Sequence, residues 1–540
     1  MNNRYIGIQH RVKETVEGEA RPTIIALVVP QAEAVEILEM ETELDELDFV
    51  LGQFPTSWRS IDYARDSLSD FPEHHVKWRK LKSTEDPTKF PPAFLRDDQK
   101  KGGQLLATKV PKTYDGLAAG DVVSAMFGGS GDMLILAMAH RAEDLGAQVF
   151  RIPPHVVSGL RPAEDKSQDA ELLARLVQDR PDLFHLFRSH DADLILVREL
   201  LRLRIDTMKA RIACEQRLRQ RMIGAMFRNL TPEGDLTKAF EARKANDQIF
   251  QAVLSEEARA NRELEAAVKK TSVFSQILES IDGVGPSIAG RIIAAVTDIR
   301  RFATKARLKS FCGVGVQPDG SFTRRRSGQV ANWHPEARQA LYLLADQFNR
   351  RPGSEWGQIL LYYKQKLRQS HPEMSVPKGL SSLHRQAERV FAKHKCTVKA
   401  SDFAIDTQDG LYSYIRATLS ELEGREVSDE VLAKVSQDCE ALLGGQPKKL
   451  DTVTLYSAGH IHKMAMWRSV TKFTEWLFRE WWRLENKPEG FVSLPPNVLK
   501  FAAPDLYQSW REQAIRKDPG LAKILDDAAD EATSFLDEAA

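Results

Sequence analysis

The chain has 540 residues, 42% of them apolar, and its 76 Lys and Arg balance 76 Asp and Glu, so the formal charge is zero. That length exceeds one ordinary core and implies two or three domains, and neutrality means that any nucleic-acid face has to be a local basic surplus. No run of eighteen apolar residues is present and Met1-Asn2-Asn3-Arg4 lacks a basic-then-apolar signal, so a cytoplasmic protein is expected, and Cys214, Cys312, Cys396 and Cys439 lie too far apart for a zinc site or disulfide framework.

The first 178 residues alternate strand-like and helix-like stretches. Tyr5 to Ile8 and Pro22 to Val29 read as strands, as does Asp121 to Phe127, which is followed by Gly128-Gly129, a helix around Ile135 to Leu145 and a strand from Ala147 to Ile152. Strand, helix and strand at these lengths predict an α/β domain with a partly parallel sheet. The eight carboxylates between Glu33 and Asp48 read as a solvated helix face. Pro55 to Lys112, rich in Pro, Lys and Asp without a period, reads as a loop-rich part of an insertion spanning about 31–116.

Asp182 to Leu278 is helical and charged, broken by Pro232-Glu233-Gly234 into an antiparallel hairpin. Leu194, Val197, Leu200, Leu201, Ile205, Met208, Ile212 and Leu218 form an apolar stripe suited to a coiled coil. From Arg198 to Arg228 nine Arg/Lys face three acids, which adds a nucleic-acid contact to the bland reading of a charge-laced helix pair.

The most informative stretch follows. Ile281-Asp282-Gly283-Val284-Gly285-Pro286-Ser287-Ile288 reads as a tight turn into a new helix, the pattern by which a helix-hairpin-helix presents amides to a phosphate, with Gly283, Gly285 and Ser287 touching it. Its bland reading is a packing turn. From Ile288 to Gly328 nine cations (Arg291, Arg300, Arg301, Lys305, Arg307, Lys309, Arg324, Arg325 and Arg326) face only Asp298 and Asp319. Ser321, just before three of those arginines, is a nucleophile candidate or simply a polar turn residue. Leu341 to Leu344 and Trp356 to Leu367 read as helices, and so does His460 to Arg483, whose Trp and Phe at helical spacing suit a core better than a base-stacking platform. His460 and His462 have no ligand partner at metal spacing, and Ala522 to Ala540 is an acidic tail, read as a loose helix or disordered.

Asp298-Ile299-Arg300-Arg301-Phe302, then Leu308 to Gly315, then Gly320-Ser321-Phe322-Thr323-Arg324-Arg325-Arg326 resemble the C-terminal domain of the Piv-related insertion-sequence transposases. His460 to Arg483 is similar to that domain's last helix. The resemblance implies a RuvC-like, RNase H-like α/β domain with four metal-binding acids, a coiled-coil insertion used for dimerisation and RNA binding, and a mainly α, serine-bearing C-terminal domain with a helix-hairpin-helix. It places the catalytic serine at Ser321. It also implies double-stranded DNA as substrate, a structured bridge RNA as guide, and a homodimer or homotetramer.

The acidic positions depart from the family. Gln9 stands where the first strand should end in Asp, Phe127 stands at the Glu, and Lys166 stands at the first Asp of the helix motif, whose second Asp is Asp169. Asp165 could substitute from four residues away on one helix face, leaving Asp165 and Asp169 as catalytic and metal-binding candidates; a shifted alignment would bring in Asp121, Asp132 or Glu14. Mg²⁺ is expected if this site is active, and otherwise no cofactor. The expected domains are a RuvC-like domain at 1–178, a helical hairpin at 179–272, the serine-bearing domain at 273–369, an insertion at 370–455, a closing helix at 456–486 and an extension at 487–540. Two functions compete: a DNA transposase or site-specific recombinase, and an inactive, domesticated relative that only binds nucleic acid. A purely structural coiled coil is disfavoured by the basic hairpin region.

Overall fold

The computed structural model describes residues 4–12, 20–30, 35–82, 84–98, 102–128, 131–162, 166–230, 234–315, 331–377, 387–389, 391–394, 396–404, 408–423, 429–443 and 452–525. The chain forms two compact units, Met1–Ala192 and Asp193–Ala540. The first is mixed α/β and the second is largely helical.

In the first unit β1 (Tyr5–Gln9), β2 (Thr23–Val28) and β3 (Val35–Met40) form an antiparallel meander. α1 (Glu43–Leu51) follows, and after the inserted segment 54–115 the chain returns as β8 (Val122–Met126), parallel to β1. α2 (Asp132–Leu145) connects β8 to the parallel β9 (Gln148–Ile152), beyond which β10 (His185–Leu186) closes the order β10-β9-β8-β1-β2-β3. The predicted strands and the predicted helix are all present, since runs such as Ile24-Ile25-Ala26-Leu27-Val28 bury both faces. Ile6, Ile8, Ile25, Leu27 and Val123 pack with Phe49 of α1 and Leu134, Ile135 and Met138 of α2. After the short α3 (Pro154–Leu160), α4 (Asp169–Asp179) packs on β1 and β2, where Ala170 and Ala174 meet Ala26 and Val28. Gly7 makes this approach possible: a Cβ there would lie 1.9 Å from the Ala170 carbonyl oxygen.

The acidic stretch is not one solvated helix. It is the strand β3 and then α1, and Glu46 and Asp48 are buried on specific partners. The segment read as loop-rich is likewise a second sheet. β4 (Phe54–Ser60), β5 (Lys77–Lys80) and β6 (Leu95–Asp97) all pair antiparallel with the twelve-residue β7 (Gln104–Asp115), over a core of Ile61, Val76, Phe94, Leu106 and Val110. Register shifts in both β4 and β5 against β7 break the alternation that would have marked strands.

Two successive parts of this sheet repeat one local pattern. Trp58-Arg59 and Trp78-Arg79 each open a stretch that reaches Phe-Pro, at Phe71-Pro72 and Phe90-Pro91. Arg59 forks onto Asp66 at 2.6 and 2.7 Å, and Arg79 forks onto Glu85 at the same distances, holding each carboxyl down to about 2. Each Phe-Pro leads through one turn of 3-10 helix, Glu73–His75 or Pro92–Phe94, into β5 or β6.

In the second unit α5 (Ser189–Asn229) runs outward, and α6 (Leu236–Asn246) and α7 (Gln248–Lys270) return. Leu218 and Met222 bury with Phe240, Arg211 pairs with Glu257, and Leu201 shares a core with Leu264 and Val268, so the helices are antiparallel. Leu194, Val197 and Leu201 are therefore spent inside the unit rather than on a seam open to a second copy. Asp247 adds a break that periodicity alone does not place, capping Phe250 N at 2.8 Å.

A π-helical turn (Phe274–Leu278) then leads to α8 (Pro286–Val296), α9 (Lys305–Cys312), α10 (Pro335–Arg350) and α11 (Glu355–Ser370). All pack in one core with α14 (Ala458–Asn486), whose Phe473 and Trp476 rings lie 5.0 and 5.6 Å from Trp356; these aromatics are core. Residues between α11 and α14 leave and re-enter through paired strands β11 (Met374–Pro377) and β12 (Thr452–Leu455). Between them α12 (Gln408–Glu423) and α13 (Asp429–Leu443) carry their own small cluster around Phe391, Leu411, Tyr414 and Val435. Cys312 is buried, which pushes its thiol up to about 12 and leaves it unreactive. The acidic tail from 526 lies outside the described residues.

The α4 contact makes a direct prediction. Gly7→Ala should destabilise the first unit by about 1–3 kcal/mol or more, because the clash is with helix backbone that cannot give. Urea unfolding followed by tryptophan fluorescence checks it; an unchanged midpoint would refute the close approach.

Candidate functional site

The carboxyl end of β1 gathers the positions at which the resemblance implies metal-binding acids. Gln9, the last residue of β1, is 2% exposed; its Nε2 donates to the Lys166 carbonyl and its Oε1 has no partner among the described residues. Lys166 therefore enters through its backbone, while its side chain is exposed. Asp169, the first residue of α4, is 1% exposed, and Arg161 grips both its oxygens, Nε to Oδ1 and Nη2 to Oδ2, each at 2.6 Å. This raises the Arg161 pKa further, so the guanidinium stays charged. Asp165 lies outside the described residues, and α4 starts only at Asp169.

Phe127 follows β8 and is buried. The Arg151 guanidinium from β9 stacks 4.6 Å from its ring centroid and forms an ion pair with Asp132 at the start of α2, with Arg151 and Asp132 both nearly inaccessible. Asp132 belongs to this end of the sheet, because Gly131 sits against the His10 side chain. Asp121 does not: it precedes Val122, which pairs with Tyr5, and it binds Arg4 at 3.0 and 2.8 Å at the opposite end of β1. Glu14 lies outside the described residues.

Glu46 of α1 is a third buried acid here, unnoticed in the sequence. It accepts from Thr23 Oγ1 at 2.6 Å and lies 3.5 Å from both Arg11 Nε and His10 Nε2. Arg11 also reaches Glu43 at 2.5 Å. Burial lowers the His10 pKa despite Glu46, which favours the neutral imidazole near pH 7. Each of the three buried acids thus faces an arginine. The sequence signal was Arg151 within the apolar run Val149-Phe150-Arg151-Ile152, since a charge on a buried strand requires a carboxylate partner.

In the second unit Gly283 has φ +93° and packs against Gln347 of α10 and Arg351 just after it, where a side chain would collide, so this glycine is needed by the fold itself. Gly285 and Ser287 are exposed at the first turn of α8, and nothing would obstruct a side chain at Gly285. The basic run divides. Arg300 is buried on Asp298 at 2.7 Å and Lys309 is tied to Glu475 at 2.5 Å, so both are held inside the unit. Arg291 is half-buried, with its pKa lowered by burial and by Arg204, and Arg301 lies over Phe302 and Phe311. Lys305 and Arg307 are exposed.

Ser321, Arg324, Arg325 and Arg326 lie outside the described residues, which stop at Gly315 and resume at Ala331. Both anchors of that segment are firm. Gly313 touches Trp333, the Arg338 guanidinium donates to the Gly313 carbonyl at 2.5 Å and lies between Trp333 and Trp467, and His334 N donates to the Phe311 carbonyl at 2.7 Å.

Residues 275–358 match the family model described as Transposase IS116/IS110/IS902 family. The match covers the π-helical turn through the start of α11, including the serine-bearing segment, and bears out the resemblance read from the sequence. No curated protein matches the chain.

Removing one partner of a buried ion pair strands the other. Arg161→Ala should cost about 3–5 kcal/mol, and adding Asp169→Asn should restore part of it. Chemical denaturation of the two variants checks this; a neutral Arg161→Ala would place Asp169 in solvent.

Proposed function

We propose, from the transposase IS116/IS110/IS902 family domain at residues 275–358, that this chain is a transposase- or recombinase-like protein that binds double-stranded DNA and whose first unit does not cut by two-metal catalysis. A meander followed by two parallel strands, with α4 crossing β1 and β2, supports the RuvC-like reading of that unit. The carrying observation is the pairing of its buried acids with arginines.

Two Mg²⁺ ions about 4 Å apart need several carboxylate oxygens free to bind them. The described residues at this end of β1 do not fit. Both Asp169 oxygens accept from Arg161, Asp132 faces Arg151, Glu46 faces Arg11, Phe127 offers no ligand and Gln9 offers one amide oxygen. Three guanidinium groups also oppose any added cation. The arrangement favours the inactive, nucleic-acid-binding reading over the full transposase.

For binding, the exposed first turn of α8 after Gly283 supports a helix-hairpin-helix grip on a phosphate, with Lys305 and Arg307 exposed on the following helix. Arg324, Arg325 and Arg326 extend that surplus in sequence. Arg217, Arg219 and Arg221 are exposed on α5, where a structured guide RNA would bind if the resemblance extends that far. Ser321 and a homodimeric or homotetrameric state stand on the resemblance alone.

Changing Arg324, Arg325 and Arg326 together to Ala should weaken DNA binding and flatten the slope of log K against log salt by about 0.9 for each phosphate that the segment no longer neutralises. Filter binding across a salt series reads this; an unchanged slope removes the segment from the DNA-facing surface. Strand cleavage with Mg²⁺ or Mn²⁺ should be absent with or without RNA. Metal-dependent cleavage that disappears in Asp169→Ala would overturn the inactive reading, and its disappearance in Ser321→Ala as well would establish the full transposase.

A further inference from the structure

The inserted sheet carries a cluster that neither the nuclease reading nor the DNA-binding reading uses. His74 Nε2 and His75 Nε2 lie 2.9 and 2.6 Å from one oxygen of Asp48, Oδ2. Asp48 is on α1, and the histidines are on the 3-10 turn that feeds β5. Asp48 and His75 are buried, whereas the His74 side chain is 35% exposed and opens the cluster to solvent.

The repeated pattern supplies an internal control. Aligned on Phe71-Pro72 and Phe90-Pro91, His74 and His75 correspond to Ala93 and Phe94. Both turns have the same 3-10 form, and the side chain at the second position is buried in each, 2% exposed at His75 and 4% at Phe94. The backbone therefore does not require histidine there. The histidines occur in the copy that meets a buried carboxylate, and the other copy fills the place with a hydrocarbon ring.

We infer that Asp48, His74 and His75 form a binding site for a divalent transition-metal ion of the zinc class, distinct from the carboxyl end of β1. Two imidazole nitrogens and one carboxylate oxygen are the donors that borderline ions prefer over Mg²⁺. All three donor atoms lie within 4.8 Å of one another. A tetrahedral ion with arms of about 2.0–2.1 Å spaces its donors about 3.3 Å apart. The N-to-O distances of 2.6 and 2.9 Å would thus open by less than an ångström. The half-exposed His74 ring has room to do so. His75 Nδ1 has no partner among the described residues. Among the described residues no donor holds Nδ1 as an acceptor, so the proton that the Asp48 contact places on Nε2 can pass to Nδ1 when an ion binds. The fourth position faces solvent through His74 and takes water. An ion here ties α1 to the inserted sheet, so its effect is on the placement of that sheet rather than on phosphodiester chemistry.

The test is calorimetric titration of the full chain with Zn²⁺ in excess Mg²⁺, repeated with Co²⁺ to read its visible absorption. The reference is the double variant His74→Ala, His75→Phe, which installs the residues of the second copy; because it leaves the Asp48 carboxylate without a partner, the triple variant with Asp48→Asn serves as reference if the double variant does not fold. Wild type should bind one equivalent at this site, with a tetrahedral Co²⁺ spectrum and a raised melting temperature. The double variant should lose that equivalent and its spectrum, with affinity falling by more than the roughly 10–100-fold that losing an outer-shell partner costs. Asp48→Asn should weaken it too. Absence of the Co²⁺ spectrum in wild type, or Zn²⁺ binding undiminished in the double variant, would overturn the site. Neither result bears on the inactive nuclease reading, which rests on other residues.

Discussion

Charge compensation at the carboxyl end of β1 is the constraint on which the first unit depends. Buried carboxylates are too costly to leave alone, and they survive in a protein interior by meeting either metal ions or fixed cations. At this end of β1 the chain uses fixed cations. Arg161 holds Asp169 from the loop before α4, Arg151 holds Asp132 from β9, and Arg11 reaches Glu46 from just beyond β1. Phe127 fits this logic, because its ring face supports the Arg151 guanidinium. Gln9 does as well, as an uncharged amide that ties the strand to the Lys166 carbonyl. Together these contacts form one self-consistent set of ion pairs at the carboxyl end of β1.

The second unit is organised around α14, which supplies Phe473, Trp476 and Trp481 to a core shared with α8, α9, α10 and α11. That core fixes the two ends of the serine-bearing segment: Thr471 on α14 donates to the Val314 carbonyl at 2.7 Å, and Trp467 covers Arg338 beside Trp333. The helices between β11 and β12 are attached by a two-stranded stem and carry their own small core.

Much of this was legible in the sequence. β1, β2, β8, α2 and β9 followed from apolar runs of the right length, and the long helix α14 is marked by Trp and Phe at helical spacing. The IS116/IS110/IS902-type region was readable from short motifs because turns and caps need particular residues: Gly283 at positive φ, Asp298 bonding Arg300 N at 2.8 Å, and Gly313 ending α9 at φ +67°. The inserted sheet was not legible, since register shifts erase the two-residue alternation and Phe-Pro turns resemble loop punctuation. Its Trp-Arg and Phe-Pro repeat was visible as text but carries meaning only once both arginine forks are seen. Local charge counting also misjudged the basic run, because Arg300 and Lys309 spend their charge inside the unit.

The central claim is that arginines occupy the electrostatic place of catalytic metal ions at the end of β1. Anomalous diffraction from crystals soaked in Mn²⁺ tests it most directly. The account predicts no manganese peak beside Asp169, Asp132 or Glu46, with Arg161 still bidentate on Asp169. A pair of peaks about 4 Å apart at that position, with Arg161 displaced, would contradict it.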